Sequence, residues 1–139
     1  LDSILGKYPD IDEMVIEESF TKFSSSDDET IAKLNQINIL YRFVCHKKGL
    51  KTNTIKVQEA RRATFPKQKF VAKKYAGGMD QKEQAFCFLL AELGEEHFPK
   101  KILSRGPRKG QEVFIDEAKD MSDSWITGKG FLNIKYKTE

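Results

Sequence analysis

The chain has 139 residues, 39% of them hydrophobic and 32% charged, with a net charge of +3. That length suits one domain with a single core. An aromatic content of 11% excludes wholesale disorder. No apolar run approaches the ~20 residues that span a bilayer, and no stretch resembles a secretory signal. An intracellular setting (cytoplasm, nucleus or virion interior) is therefore expected. The two cysteines, Cys45 and Cys87, each sit in an apolar run and are expected to be buried free thiols.

The modest net charge conceals a segregation. Residues 1–30 carry nine acids against Lys7 and Lys22, whereas residues 46–75 carry ten Lys or Arg against the single acid Glu59. The acidic region has three readings: a simple solubilising surface, which weighs most, a fold-back over the basic segment, or docking on a basic patch of a neighbouring copy.

In chain order, residues 10–23 predict an amphipathic helix with Met14, Val15, Phe20 and Phe23 on its apolar side. Ser24–Asp28 predicts a break and the cap of the next helix. That second helix is expected over residues 28–48. Its stretch Ile37–Cys45 is apolar almost all round, so it is expected to be the central core element. His46, Lys47 and Lys48 suit the negative helix end, and Gly49 suits the stop.

A third helix is expected from Asn53 to Phe65, ending before Pro66. Residues 66–75 suit either a helix or a strand, with helix preferred, and Gly77-Gly78 closes the segment. The fourth helix, Gln81–Leu93, has a capping-box start in Asp80 and Glu83 and a stop at Gly94. A basic loop over 103–110 precedes an expected helix from Glu112 to Trp125. The alternation of Leu132, Ile134 and Tyr136 with polar residues predicts a short C-terminal strand.

Together these elements predict an all-α (mostly α) single domain of five to six helices with a short C-terminal β element. Along the chain it comprises an acidic N-terminal region 1–30, a basic helix–turn–helix-like segment 28–75 and a helical part 79–139.

The second and third helices, joined by His46–Thr52, have the order of a helix–turn–helix, whose second helix enters the major groove. Thr54, Gln58, Arg61 and Arg62 fall on one arc of the third helix, where Arg suits guanine and Gln suits adenine. Lys47, Lys48, Lys51, Lys56, Lys67, Lys69, Lys73 and Lys74 would neutralise phosphates. Arg105, Arg108 and Lys109 in the basic loop supply a second phosphate contact. Phe65, Phe70 and Tyr75 have two readings, as stacking platforms for unpaired bases or as anchors of the basic segment to the core, and anchorage weighs more.

Lys129–Tyr136 comes near the RNP1 signature of RNA-recognition motifs. Leu132 and Asn133 stand where a small residue and a stacking aromatic belong, so no such motif is expected. Cys45, His46, Cys87 and His97 lack metal-ligand spacing, and neither a nucleophile elbow nor a phosphate-binding loop occurs.

The expectation is a non-enzymatic nucleic-acid-binding domain, for DNA or RNA, with no cofactor or metal. The alternative is a protein-interaction or oligomerisation module using its segregated acidic and basic surfaces, with the acidic N-terminal region docking on a neighbouring copy.

Overall fold

The structure is a computed structural model that describes residues 2–18 and 28–136. These residues form two compact units, one up to Glu59 and one from Ala60 onward. Helices dominate, with a parallel strand pair in the first unit and an antiparallel pair in the second. The mostly α expectation holds, but the chain is not all-α.

The first unit contains α1 (Asp2–Lys7), β1 (Glu13–Glu17), α2 (Asp28–Lys47) and β2 (Lys51–Ile55), with α3 (Val57–Thr64) beginning at its end. β1 and β2 pair in parallel, Glu13 beside Lys51 and Glu17 beside Ile55. Parallel neighbours need a crossover, and α2 supplies it. The helix predicted over 10–23 is thus a strand at residues 13–17, while its continuation from residue 19 lies outside the described residues. So does most of the Ser24–Asp28 break. Met14-Val15-Ile16 suits a strand because two β-branched side chains pack well on a pleat. Alternation turns Met14 and Ile16 to one side. Ile16 is buried, and the Cys45 thiol of α2 lies 3.3 Å from the Met14 sulfur. Burial pushes the Cys45 thiol pKa up, which keeps it a neutral packing group.

α2 stops as its sequence predicts. Gly49 takes φ 71°, its N–H donates to the His46 carbonyl at 3.0 Å, and the Leu50 N–H donates to the Cys45 carbonyl at 2.9 Å. This is a Schellman closure, in which glycine adopts the left-handed conformation without the Cβ penalty. α2 is not the central core element, however. Of its apolar stretch only Cys45 is buried, while Ile39, Leu40 and Phe43 are 68%, 58% and 54% exposed. A crossover helix on a two-stranded sheet has one stripe to bury, and the sheet is too narrow to cover more.

β2 occupies residues predicted as link and helix cap. Thr52, Thr54 and Ile55 are β-branched, and β1 gives the segment a pairing edge that a cap would not use. The third helix accordingly begins at Val57 instead of Asn53.

The second unit holds the rest of α3, α4 (Gln81–Leu93), β3 (Lys100–Ile102), β4 (Glu112–Phe114) and α5 (Asp116–Lys135), with single 3-10 turns at Lys73–Tyr75 and Glu95–His97. The expected helix over 66–75 is instead a turn at residues 66–67 followed by irregular chain that ends in the first of these 3-10 turns. The buried Gln84 side chain explains this. It accepts from the Val71 N–H at 3.0 Å and donates to the Val71 carbonyl at 2.9 Å, replacing helical bonds. Phe70 completes the anchorage, packed against Phe65 and Phe88 with ring centroids 6.4 and 5.2 Å away.

α4 has the predicted capping box. The Glu83 N–H donates to Asp80 Oδ1 at 2.8 Å, and the Asp80 N–H donates to Glu83 Oε2 at 3.0 Å. The first of these bonds holds the Asp80 carboxyl below its ordinary pKa of 3.8. A carboxylate with a lowered folded-state pKa stabilises the fold fully above the unfolded value, and that stabilisation is lost as pH falls through the folded value. Asp80→Ala is expected to cost about 1 kcal/mol at neutral pH. In thermal melts its deficit against the native chain should shrink below about pH 4 as the native carboxylate becomes protonated.

Cys87 corrects a second expectation. It is exposed on the outer side of α4, whose inner side carries Gln84, Ala85, Phe86 and Leu89.

β3 and β4 form an antiparallel hairpin, Lys100 beside Phe114 and Ile102 beside Glu112. Residues 112–114 were expected to open a helix, but Val113 and Phe114 pair across the hairpin before α5 begins. α5 then runs through the expected C-terminal strand. Ala118, Ser122, Ile126 and Gly130 are its buried residues, spaced four apart on one ridge. Leu132, Ile134 and Tyr136 are all largely exposed, so the twofold alternation has no sheet to bury one side. The RNP1-like stretch is therefore helical, in keeping with its rejection.

α5 is tied to its unit by polar bonds as well as packing. Thr64 Oγ1 donates to the Ile126 carbonyl at 3.1 Å, and Asn133 Nδ2 donates to the Ala63 carbonyl at 2.9 Å. No helix among the described residues is long and apolar enough to cross a membrane.

Candidate nucleic-acid interface

The basic residues fall on both units and are described unit by unit. In the first unit, Lys47 ends α2 and Lys48 follows it, Lys51 and Thr54 lie on β2, and Lys56 follows that strand; all are exposed. Lys51 pairs with Glu13 across the strand pair at 3.3 Å. The Lys47 ammonium sits 5.2 Å from the Phe43 ring centroid. Thr54 does not share a helix with Gln58, because β2 intervenes. Gln58 is exposed near the start of α3.

In the second unit the two arginines of α3 separate. Arg61 turns inward, its side chain 12% exposed, with Nη2 3.3 Å from Asp123 Oδ1. Lys82 lies 3.0 Å from the other Asp123 oxygen and 2.8 Å from Asp120. Burial disfavours the Lys82 charge, but the two carboxylates outweigh it and hold its pKa above the ordinary lysine value. Arg61 thus belongs to a structural ion-pair chain between α3, α4 and α5. Arg62, one residue on, is exposed. The pair makes a test: Arg61→Ala is expected to lower stability by about 1–3 kcal/mol, since it removes one of the two cations that hold the half-buried Asp123 carboxylate. Arg62→Ala should stay within about 0.5 kcal/mol in the same urea titration.

Lys67 lies in the turn after α3, Lys69 in the irregular chain that follows, and Lys73 and Lys74 in the 3-10 turn. All four are exposed, and neither they nor Lys56 and Arg62 form an ion pair within 4 Å among the described residues. Lys82, Lys100 and Lys119 elsewhere in the unit are each paired with carboxylates.

The three aromatics of the segment divide. Phe65 is buried and Phe70 half-buried, both stacked into the core beside Phe88. Tyr75 is 73% exposed, with the Lys74 ammonium 4.7 Å from its ring centroid. The segment is therefore pinned through Phe65, Phe70 and the Val71–Gln84 bonds, while its lysines and Tyr75 face outward.

Arg105, Arg108 and Lys109 are exposed in the loop joining β3 to β4. Bonds from the Gly110 N–H to the Leu103 carbonyl at 2.8 Å and from the Leu103 N–H to the Gln111 carbonyl at 3.0 Å close the loop. Gly106 and Gly110, at φ 81° and 85°, allow its tight path. The basic loop expected from sequence is thus a hairpin tip.

No cluster of three or more His, Cys, Asp or Glu that could hold a metal ion occurs among the described residues. No family model, curated protein or solved structure matches the chain.

Proposed function

We propose that the protein is a non-enzymatic nucleic-acid-binding protein that contacts single strands through the basic segment of its second unit. The observation that carries this reading is Tyr75, exposed beside Lys73 and Lys74 on a segment whose other aromatics, Phe65 and Phe70, pack against Phe88. An aromatic face flanked by ammonium groups offers stacking to any base and charge to the backbone beside it.

Major-groove reading is less well supported. A recognition helix needs several outward side chains near its start. α3 has eight residues, β2 precedes it, Thr54 is off the helix and Arg61 is paired internally. Gln58 and Arg62 remain. Lys67, Lys69, Lys73 and Lys74 are free to release counterions on binding, which gives affinity without sequence preference.

Titration of a fluorescently labelled single-stranded oligonucleotide and of the matching duplex tests the reading. Single strands should bind at micromolar protein in low salt. Tyr75→Ala should weaken that binding by about 1–3 kcal/mol while leaving any duplex binding unchanged. Equal loss on both substrates would favour simple charge attraction, and absence of micromolar binding would sink the proposal.

A further inference from the structure

α2 presents apolar surface that the described residues of its own unit do not cover. Leu34, Ile37, Leu40 and Tyr41 are 49%, 47%, 58% and 42% exposed. Successive residues turn by ~100° about a helix axis. Leu34, Ile37, Tyr41 and half-buried Val44 therefore fall on one stripe, at the alternating three- and four-residue spacing of a helix-pairing seam. This stripe differs from the one that carries Cys45 and Asn38, which face β1.

We propose that α2 is a self-association element, through which two copies of the chain pair antiparallel. The stripe is self-complementary in that orientation. A twofold axis crossing the seam at the level of residue 39 sets Leu34 against Val44 of the other copy and Ile37 against its Tyr41, so each seam residue meets an apolar partner.

Charge selects the same orientation. The first turns of α2 carry Glu29, which holds Lys33 at 2.6 Å, while the last turns carry Arg42 and Lys47, with Lys48 just beyond. Parallel pairing would place the basic ends of both copies side by side. Antiparallel pairing sets each basic end beside the Glu29 end of its partner and opposes the two helix dipoles.

A helix of 20 residues is about 30 Å long, so one such seam falls short of a standard stable interface and gives micromolar association. Exposed apolar surface continues past the seam through Leu40 to Ile39 and Phe43.

The inference is independent of nucleic-acid binding and is tested on nuclease-treated, nucleic-acid-free protein. Sedimentation of the full chain from about 1 to 200 µM, the range expected for an interface of this size, should show a dimer or higher species forming with concentration. Ile37→Glu should raise the concentration needed by about tenfold or more with helix content unchanged.

Orientation is read by crosslinking, in a Cys87→Ser background. An equimolar mixture of Leu34→Cys and Val44→Cys chains, mildly oxidised, should yield mainly the mixed disulfide. A chain that stays monomeric over the whole range would overturn the proposal, as would association that Ile37→Glu leaves unchanged or crosslinks that form mainly between like chains. Monomer combined with a lowered melting temperature for Ile37→Glu would show that the stripe is covered from within the chain.

Discussion

Phe86→Ala is expected to destabilise the second unit by about 3–5 kcal/mol, a large share of the ~5–15 kcal/mol that holds a typical domain together. Phe86 is 6% exposed and stands at the meeting point of α4 and the hairpin. Its ring meets Phe98 at 5.3 Å and Phe114 at 5.1 Å between centroids, edge-to-face in both cases. Truncation removes its buried area and both of these oriented contacts, and leaves a cavity that two rigid rings cannot close. Cys87→Ala, on the outer side of the same helix turn, should change stability by no more than about 0.5 kcal/mol. Urea unfolding of the two variants measures the difference. A Phe86→Ala loss below about 1 kcal/mol would mean that the three rings do not form a packed cluster in solution.

The second large effect contrasts two glycines of α5. A Cβ built on Gly130 would lie 2.5 Å from the Ala60 carbonyl oxygen and 2.7 Å from its Cα, whereas one on Gly128 would meet nothing within 4 Å. Alanine stabilises a helix interior by ~1 kcal/mol over glycine, so Gly128→Ala should be stabilising by up to that amount. At Gly130 the same gain is outweighed, because backbone cannot move aside as a flexible side chain can. The net loss should reach about 1–3 kcal/mol, and more for Gly130→Val. Opposite signs for one substitution two residues apart are the expected result. A stabilising Gly130→Ala would contradict the close approach of α5 to the α3 residue Ala60.

Local signals were legible in the sequence where one residue type controls the geometry. The Asp80–Glu83 box, the Gly49 and Gly94 stops and the Gly77-Gly78 turn require no tertiary information, because caps and positive φ angles are set by the chain itself. The strands were not legible for the opposite reason. Residues 13–17 and 51–55 become strands by pairing with each other across α2, and a segment of five residues shows too little periodicity to declare it. The same holds for Lys100–Ile102 and Glu112–Phe114, each of three residues.

The apolar stretch of α2 was legible as apolar but not as exposed. Hydrophobicity records that a surface prefers cover, and it does not say whether the cover comes from the same chain. At the candidate interface, the charge of residues 46–75 marked a segment but not the surroundings of each residue in it. Arg61 and Arg62 are chemically identical neighbours, and only the position of Asp123 on α5 turns one inward. Phe65, Phe70 and Tyr75 are likewise separated by the fold. The core rings around Phe88 take the first two, and the turn at Lys73 carries the third outward.

The salt dependence of single-strand binding tests the central claim most directly. Each phosphate neutralised on a single strand contributes about −0.7 to the slope of log affinity against log salt. Replacing Lys67, Lys69, Lys73 and Lys74 together by alanine should therefore flatten the slope by roughly 2–3 and weaken low-salt binding by at least about tenfold. All four side chains are exposed, so the fold should be unaffected in circular dichroism and in its melting temperature. A quadruple variant that stays folded and binds with the native slope would contradict the account.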